Sequence, residues 1–370
     1  MERPWYTRFN WALAIAPVLV TILGIVFVRS ATLHEPYAAD EWRKQIIYGA
    51  AGVVLMVGCA FIDYRLWRRW AIPLYIVTVA LLVFIGFKGH SALGAARWIA
   101  IGPFQFQPSE PAKVVLAIGI AAYFSRGRFA KIHELALPLI LVAIPALLIL
   151  RQPDLGTTLV IGAILSAELF FAVANLFDFG IYAALIATAA AYVLTSEKIL
   201  KPFQRARLTV FLDPTVDPQG VGYNLNQSKI AVGSGEWLGK GLFRGTQTQL
   251  NFVPENSRDF IFTAVGEEAG FIGALLLLAL YAVLVGNALR AVFAAKDRFG
   301  VLLAIGLVAM LAFHIVVNIG MTIGIMPITG IPLPFMSYGG SALMTDYIAV
   351  GILLNIILQK DALVFDARRG

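Results

Sequence analysis

Cysteine is all but missing from this 370-residue chain: Cys59 stands alone, which excludes an internal disulfide. A secreted fold stapled by covalent bridges is ruled out, and any large loop must be held by packing. Charge is scarce as well. Asp, Glu, Lys and Arg make up 14% of the residues against roughly 25% in an average globular domain, while hydrophobic residues reach 59% against roughly 45–50%. That balance excludes an ordinary water-soluble fold. The four histidines, His34, His90, His133 and His314, show no i, i+4 pair and no neighbouring cysteine, so no zinc or other metal site is expected from them. Ser, His and acid do not gather in a triad-like motif, which argues against nucleophilic hydrolysis. No basic stripe interleaved with aromatics is present, so the net charge of +7 does not point to nucleic acid.

Long hydrophobic runs are what the chain has. They fall near 11–28, 46–62, 70–87, 109–125, 135–150, 155–174, 177–195, 260–289, 299–326 and 342–358, each close to the length of helix that crosses a hydrocarbon layer of about 30 Å. In lipid a segment must satisfy its own backbone, so these runs are expected to be helices. The fold class is therefore all-α: a polytopic membrane protein of about ten transmembrane helices, residues 1–370 forming one integral membrane domain. The first run is followed by RSATLHEP, with no small-x-small cleavage site, and is read as retained. Short loops carry Arg65, Arg68 and Arg69, then Arg126, Arg128 and Lys131, then Arg290, Lys296 and Arg298. Positive short loops mark the cytoplasmic side, which puts both termini inside and the long polar insert, 196–258 between the seventh and eighth runs, outside. The basic balance then reads as a belt meeting anionic lipid head groups.

Four polar stretches share that outer face: GAARWIAIGPFQFQPSEPAK, RQPDLGTT, the insert, and PITGIPLPFMSYGGSAL. Irregular backbone at membrane depth is tolerated where it lines a cavity, so these are read as walls of one site. Asp259, at the lip of the eighth run, is the first candidate, because acids kept where hydrocarbon meets water are costly. Glu110 and Lys113, spaced i, i+3, share a helix face; they are either an interfacial surface pair or a cation held ready for an anionic head group. Asp154 has the spacing of a helix N-cap and also stands in the site. Arg205, Arg207 and Lys229 of the insert either clamp a diphosphate or hold lipid head groups. Trp98, Gln152, Gln227, Ser337 and Tyr338 complete the candidate substrate-binding set. The insert fails the phosphate-loop pattern, having Ser234 and Gly241 where Gly and Ser or Thr are required. Glu168, His314 and Asp346 lie within apolar runs, as helix–helix hydrogen bonds, the commoner case, or as steps on a proton path.

Together ARWI, QPSEPAK, QPDLGT, GYNLNQSKIAVGSG, RGTQTQLNFVPENSRDFIFTAVGEEAG and PLPFMSYGGSAL resemble, in order and over essentially the whole chain, the SEDS (shape, elongation, division and sporulation) family. These are bacterial membrane glycosyltransferases that polymerise peptidoglycan. PITGIPLP and GTQTQL resemble the elongation branch; the division branch usually carries a Lys in the former turn. One departure is Ser257 and Arg258, where the family commonly has His-Thr before the key acid.

The resemblance implies inverting transfer between two lipid II-linked sugars, with Asp259 as base and with Lys113 and Arg207 stabilising the departing undecaprenyl diphosphate. A divalent cation, Mg or Mn, is left open, and no other cofactor is implied. The implied partners are lipid II and the nascent glycan strand, a class B penicillin-binding protein (the elongation transpeptidase), and other elongation-complex membrane proteins. The eighth and ninth runs, with small residues such as Gly286 and Ala304, are the expected docking helices. The implied location is the bacterial cytoplasmic membrane, with the active face extracytoplasmic. A lipid II flippase and a scaffold without chemistry are the rival readings.

Overall fold

The computed structural model describes residues 9–360 except 36, 89, 93–94, 103, 128–133, 135, 174–175, 196–201, 214–219 and 251. In chain order the first helices are α1 (Trp11–Ala31), α2 (Glu41–Phe61) and α3 (Tyr64–Lys88). A small antiparallel sheet follows, β1 (His90–Ala92), β2 (Ala95–Ile101) and β3 (Phe104–Phe106), and then α4 (Ser109–Phe124), α5 (Ala136–Arg151), α6 (Leu155–Ala172) and α7 (Leu176–Thr195). The insert contributes α8 (Pro202–Leu212), α9 (Val221–Ser234) and α10 (Thr246–Gln249); α11 (Ile261–Ala294), α12 (Arg298–Ile323) and α13 (Gly340–Leu358) close the chain. Among the described residues seven helices are long and apolar enough to cross a membrane, α1, α2, α3, α6, α11, α12 and α13, with α5 a shorter apolar one.

The polar turn before the fourth apolar run is not all irregular. β2 pairs with β3 through Ile99 opposite Phe106 and Ile101 opposite Phe104, because a stretch rich in Trp, Ile and Phe fits a pleated, half-buried surface. The sheet carries Arg97 and Trp98 to the mouth of the helix bundle.

The core is built around α4, α12 and α13; of the seven long apolar helices α12 and α13 are the most enclosed, and α3 and α11 the most exposed. Polar side chains tie the helices at depth: Thr21 Oγ1 and Tyr347 OH lie 2.8 Å apart, and Asn355 Nδ2 donates to the Ala60 carbonyl at 2.9 Å. This corrects one expectation. Ala304 of α12 is fully buried in the protein's own core and offers no docking surface, while Gly286 of α11 is exposed with open space beside it. Of the two expected docking helices, α11 is the more exposed.

α11 is broken at Gly270 (φ 65°, ψ −164°). The insert mends the break. Phe271 N donates to the Glu236 carbonyl at 2.8 Å and Ile272 N to the Trp237 carbonyl at 3.1 Å, while Lys240 N and Gly241 N donate to the carbonyls of Glu267 and Glu268, each at 3.0 Å. Backbone groups that a broken helix would strand in an apolar setting are thus paired. The two acids before the break hold the insert: Glu267 accepts from Lys240 Nζ at 2.8 Å and from Thr248 N at 2.9 Å, and Glu268 from Phe243 N at 3.2 Å while also tying to α1 through Ser30 Oγ at 2.5 Å. A Cβ at residue 270 would stand 2.3 Å from the Gly239 nitrogen, a backbone atom that cannot swing aside. Gly270→Ala is therefore expected to destabilise the protein by about 3 kcal/mol or more, from the forbidden dihedral and overpacking together. Melting in detergent and proteolysis within the insert measure it.

Candidate active site

Where β2, β3, the N-termini of α4 and α6, helix α8, the start of α11 and the 330–342 turn converge, they enclose a polar cavity of about 260 Å³. Of the residues expected in the site, Trp98, Glu110, Lys113, Asp154, Arg207, Asp259 and Tyr338 line it. Gln152, Arg205, Gln227, Lys229 and Ser337 are not among its lining residues.

The five outliers have physical explanations. Gln152 turns its amide to the Leu82 carbonyl at 3.1 Å and offers the cavity wall only its main-chain oxygen, which accepts from Arg97 Nε at 2.7 Å. Arg205 and Arg207 are two apart on α8, so they cannot share a face. Gln227 and Lys229 belong to α9, where the Lys229 side chain lies against Gly324 at the end of α12. Ser337 is a buried strut: its hydroxyl donates to the Arg258 carbonyl at 2.6 Å and accepts from Leu333 N at 2.8 Å.

Asp259 sits just ahead of α11, and its backbone is fixed from α12: Asn318 Nδ2 donates to the Asp259 carbonyl at 2.8 Å and to the Ile331 carbonyl at 2.7 Å. One amide thus locks the acid and the 330–332 turn together. At Gly330 (φ 74°) a Cβ would come within 3.1 Å of Arg207 Nη1 and 3.2 Å of Asp259 Oδ2, so the bare backbone lets cation and acid meet there. Burial pushes the Asp259 carboxyl up to about 6, against the opposing pull of the Arg207 guanidinium. Burial likewise lowers the Arg207 guanidinium from its ordinary value, with Asp259 pulling it back.

Glu110 and Lys113 pair as their spacing implies, Nζ to Oε2 at 2.8 Å, but they are not a surface pair: their side chains are 5% and 1% exposed. Asp154 caps α6, accepting from Thr157 N at 3.1 Å and Thr157 Oγ1 at 2.9 Å, and its Oδ2 also accepts from Gln107 Nε2 at 3.2 Å. Its cap role and its place in the wall coexist.

The unusual Ser257-Arg258 pair is answered by Glu41, the first residue of α2. Its carboxylate accepts from Ser257 Oγ at 2.8 Å and Arg258 Nη2 at 2.9 Å, and the Arg258 guanidinium lies 5.6 Å from the centre of the Tyr338 ring. Arg97, Asn318 and Glu41 are the residues that sequence reasoning missed. An Asn in the middle of an apolar run was a usable signal for the second; nothing local marked the third. Among the described residues no three His, Cys, Asp or Glu side chains converge as a metal centre requires.

The family model of the FtsW, RodA and SpoVE cell cycle proteins matches residues 10–362. The peptidoglycan glycosyltransferase MrdB of Escherichia coli is 40% identical over 351 residues, covering 94% of each chain. A probable peptidoglycan glycosyltransferase FtsW of Trichlorobacter lovleyi is 37% identical over 371 residues, covering 94% of this chain and 93% of that one. Among solved structures, a chain from a peptidoglycan synthase complex that coordinates polymerization and crosslinking superposes with a TM-score of 0.81 at 29% identity, covering 95% of this chain and 98% of its own. The helical fold is thus shared with these proteins, and the chain belongs to the FtsW/RodA/SpoVE (SEDS) family as a peptidoglycan glycosyltransferase of the membrane.

Proposed function

We propose that this enzyme polymerises lipid II into glycan strands at the extracytoplasmic face, in the elongation branch that RodA represents, by inverting transfer with release of undecaprenyl diphosphate. The observation that carries the reading is the placement of Asp259 on one cavity with Lys113 and Arg207. A sugar hydroxyl is a weak nucleophile near neutral pH and needs a base within hydrogen-bond reach. With its carboxyl raised to about 6, Asp259 is ionised at pH 7 yet basic enough to accept that proton. The 4-hydroxyl of the GlcNAc on lipid II attacks the anomeric carbon of the strand's terminal MurNAc, its proton passes to Asp259, and the bond to the diphosphate breaks. Negative charge gathers on the leaving diphosphate, where fixed cations stabilise it most; Lys113 and Arg207 fill that role. Trp98 and Tyr338 offer apolar faces to the sugars.

With both termini cytoplasmic, the cavity and the 196–258 insert face outward, where strands are assembled. The test is incubation of the purified protein with lipid II in detergent. Polymer on a gel with equimolar undecaprenyl diphosphate supports the reading; intact lipid II that instead crosses a vesicle bilayer would replace it with transport.

A class B penicillin-binding protein is the proposed partner, docking its membrane helix on the exposed face of α11. That helix begins two residues after Asp259 and is clamped to the insert, so a partner on it bears on the site. Gly286→Leu is expected to lower the partner-stimulated rate and co-purification several-fold while sparing the basal rate. Equal loss of both rates would move the interface elsewhere.

A further inference from the structure

Lys113 does not stand in the cavity wall with Glu110 alone. Its Nζ also lies 2.9 Å from Nε2 of His314, which approaches from α12, 201 positions further along the chain. The other ring nitrogen fixes the roles. His314 Nδ1 is 2.6 Å from the Met310 carbonyl, one helical turn back on α12, and a carbonyl only accepts. The proton of a neutral imidazole therefore sits on Nδ1, and Nε2 presents its lone pair to the lysine. An ammonium has three N–H donors. One goes to Glu110 Oε2 at 2.8 Å and one to His314 Nε2, while the third has no acceptor among the described residues. Lys113 and His314 both line the cavity. Asp346 of α13 also faces this group without a hydrogen bond to it, so the histidine supplies an acceptor that adds no further negative charge.

We propose that His314 is a positioning residue: the Lys113–His314 hydrogen bond across α4 and α12 aims the remaining N–H of the ammonium into the cavity, at an oxygen of a lipid-linked diphosphate. Glu110 alone would leave the long lysine side chain free to rotate about one bond. A second, neutral acceptor on a different helix fixes its direction and leaves its charge available to the ligand. The inference rests on the reading of Lys113 as a diphosphate ligand, and the test separates the two.

The probes are undecaprenyl diphosphate and undecaprenyl phosphate, each titrated as an inhibitor of the purified enzyme, with the ratio of their inhibition constants as readout. His314→Phe keeps a ring but removes the acceptor, and it is expected to lower the preference for the diphosphate about tenfold, the worth of one charge-assisted hydrogen bond. His314→Gln, which can present an amide oxygen, is expected to stay within about twofold of the parent. Lys113→Met combined with Glu110→Gln should lower the preference at least as far, leaving what Arg207 supplies, and adding His314→Phe to that pair should change nothing further. A His314→Phe enzyme that keeps the parent ratio, or that weakens both lipids equally with a lowered melting point, overturns the positioning role. If the Lys113→Met/Glu110→Gln enzyme also keeps the ratio, the diphosphate reading of Lys113 falls with it.

Discussion

Asp259→Asn is expected to reduce glycan polymerisation by about 10²- to 10⁴-fold, the range for loss of a positioned general base. Volume and shape are conserved, and the Asn318 clamp acts on the backbone carbonyl of residue 259, which the substitution leaves in place. Folding should survive, for a reason the carboxyl itself supplies. Its folded pKa of about 6 lies above the ordinary aspartate value because burial disfavours the charge. The native state therefore holds the proton more tightly, so this group's contribution to stability is full below about pH 4 and is lost as pH rises through about 6. A neutral Asn escapes that loss, and the variant is expected to melt no lower than the parent at pH 7.5. Product on a gel and melting in detergent, measured together, separate loss of the base from loss of the fold. Near-normal product would remove Asp259 from the mechanism.

The second large effect belongs to Lys113. Lys113→Met alone strands Glu110 as an uncompensated charge in a site where both side chains are almost fully enclosed, and is expected to cost about 3–5 kcal/mol of stability. Adding Glu110→Gln removes that charge, so the double variant should recover most of the stability. Activity should stay down by about 10²- to 10³-fold, as when a donor to developing negative charge is removed. Parallel recovery of stability and activity would reduce the ion pair to a structural strut.

Much of this was legible in the sequence, and the limits follow the range of each physical signal. Apolar run length located the helices, seven of which, among the described residues, are long and apolar enough to cross a membrane, and i, i+3 spacing paired Glu110 with Lys113. Asp154 announced itself as a cap because an Asp after Pro153 and ahead of Gly156 suits a helix start. The depth of the Glu110–Lys113 pair was not legible, since spacing says nothing of what other helices place on top of it. The insert misled most. Arg205, Arg207 and Lys229 read alike as cations in a polar loop, but α8 rotates Arg205 away from Arg207 and α9 carries Lys229 to the end of α12. Ser337 and Gln152 are polar because the backbone around the cavity needs partners, which no local pattern distinguishes from ligand binding. The Glu41 clamp on Ser257 and Arg258 joins residues 216 and 217 positions apart, beyond the reach of any pattern read along one chain.

The central claim, that the ionised Asp259 carboxylate takes the proton of the attacking hydroxyl, is tested most directly by the pH dependence of kcat/KM for lipid II polymerisation between pH 5 and 8. Lowering the pH through the carboxyl's own value of about 6 returns the proton to the base, so the rate is expected to be half-maximal near pH 6 and to fall about tenfold per pH unit below it. The residual rate of the Asp259→Asn enzyme should show no such inflection. A parent profile that is flat across pH 6, or an inflection that persists in the Asn variant, would contradict the account.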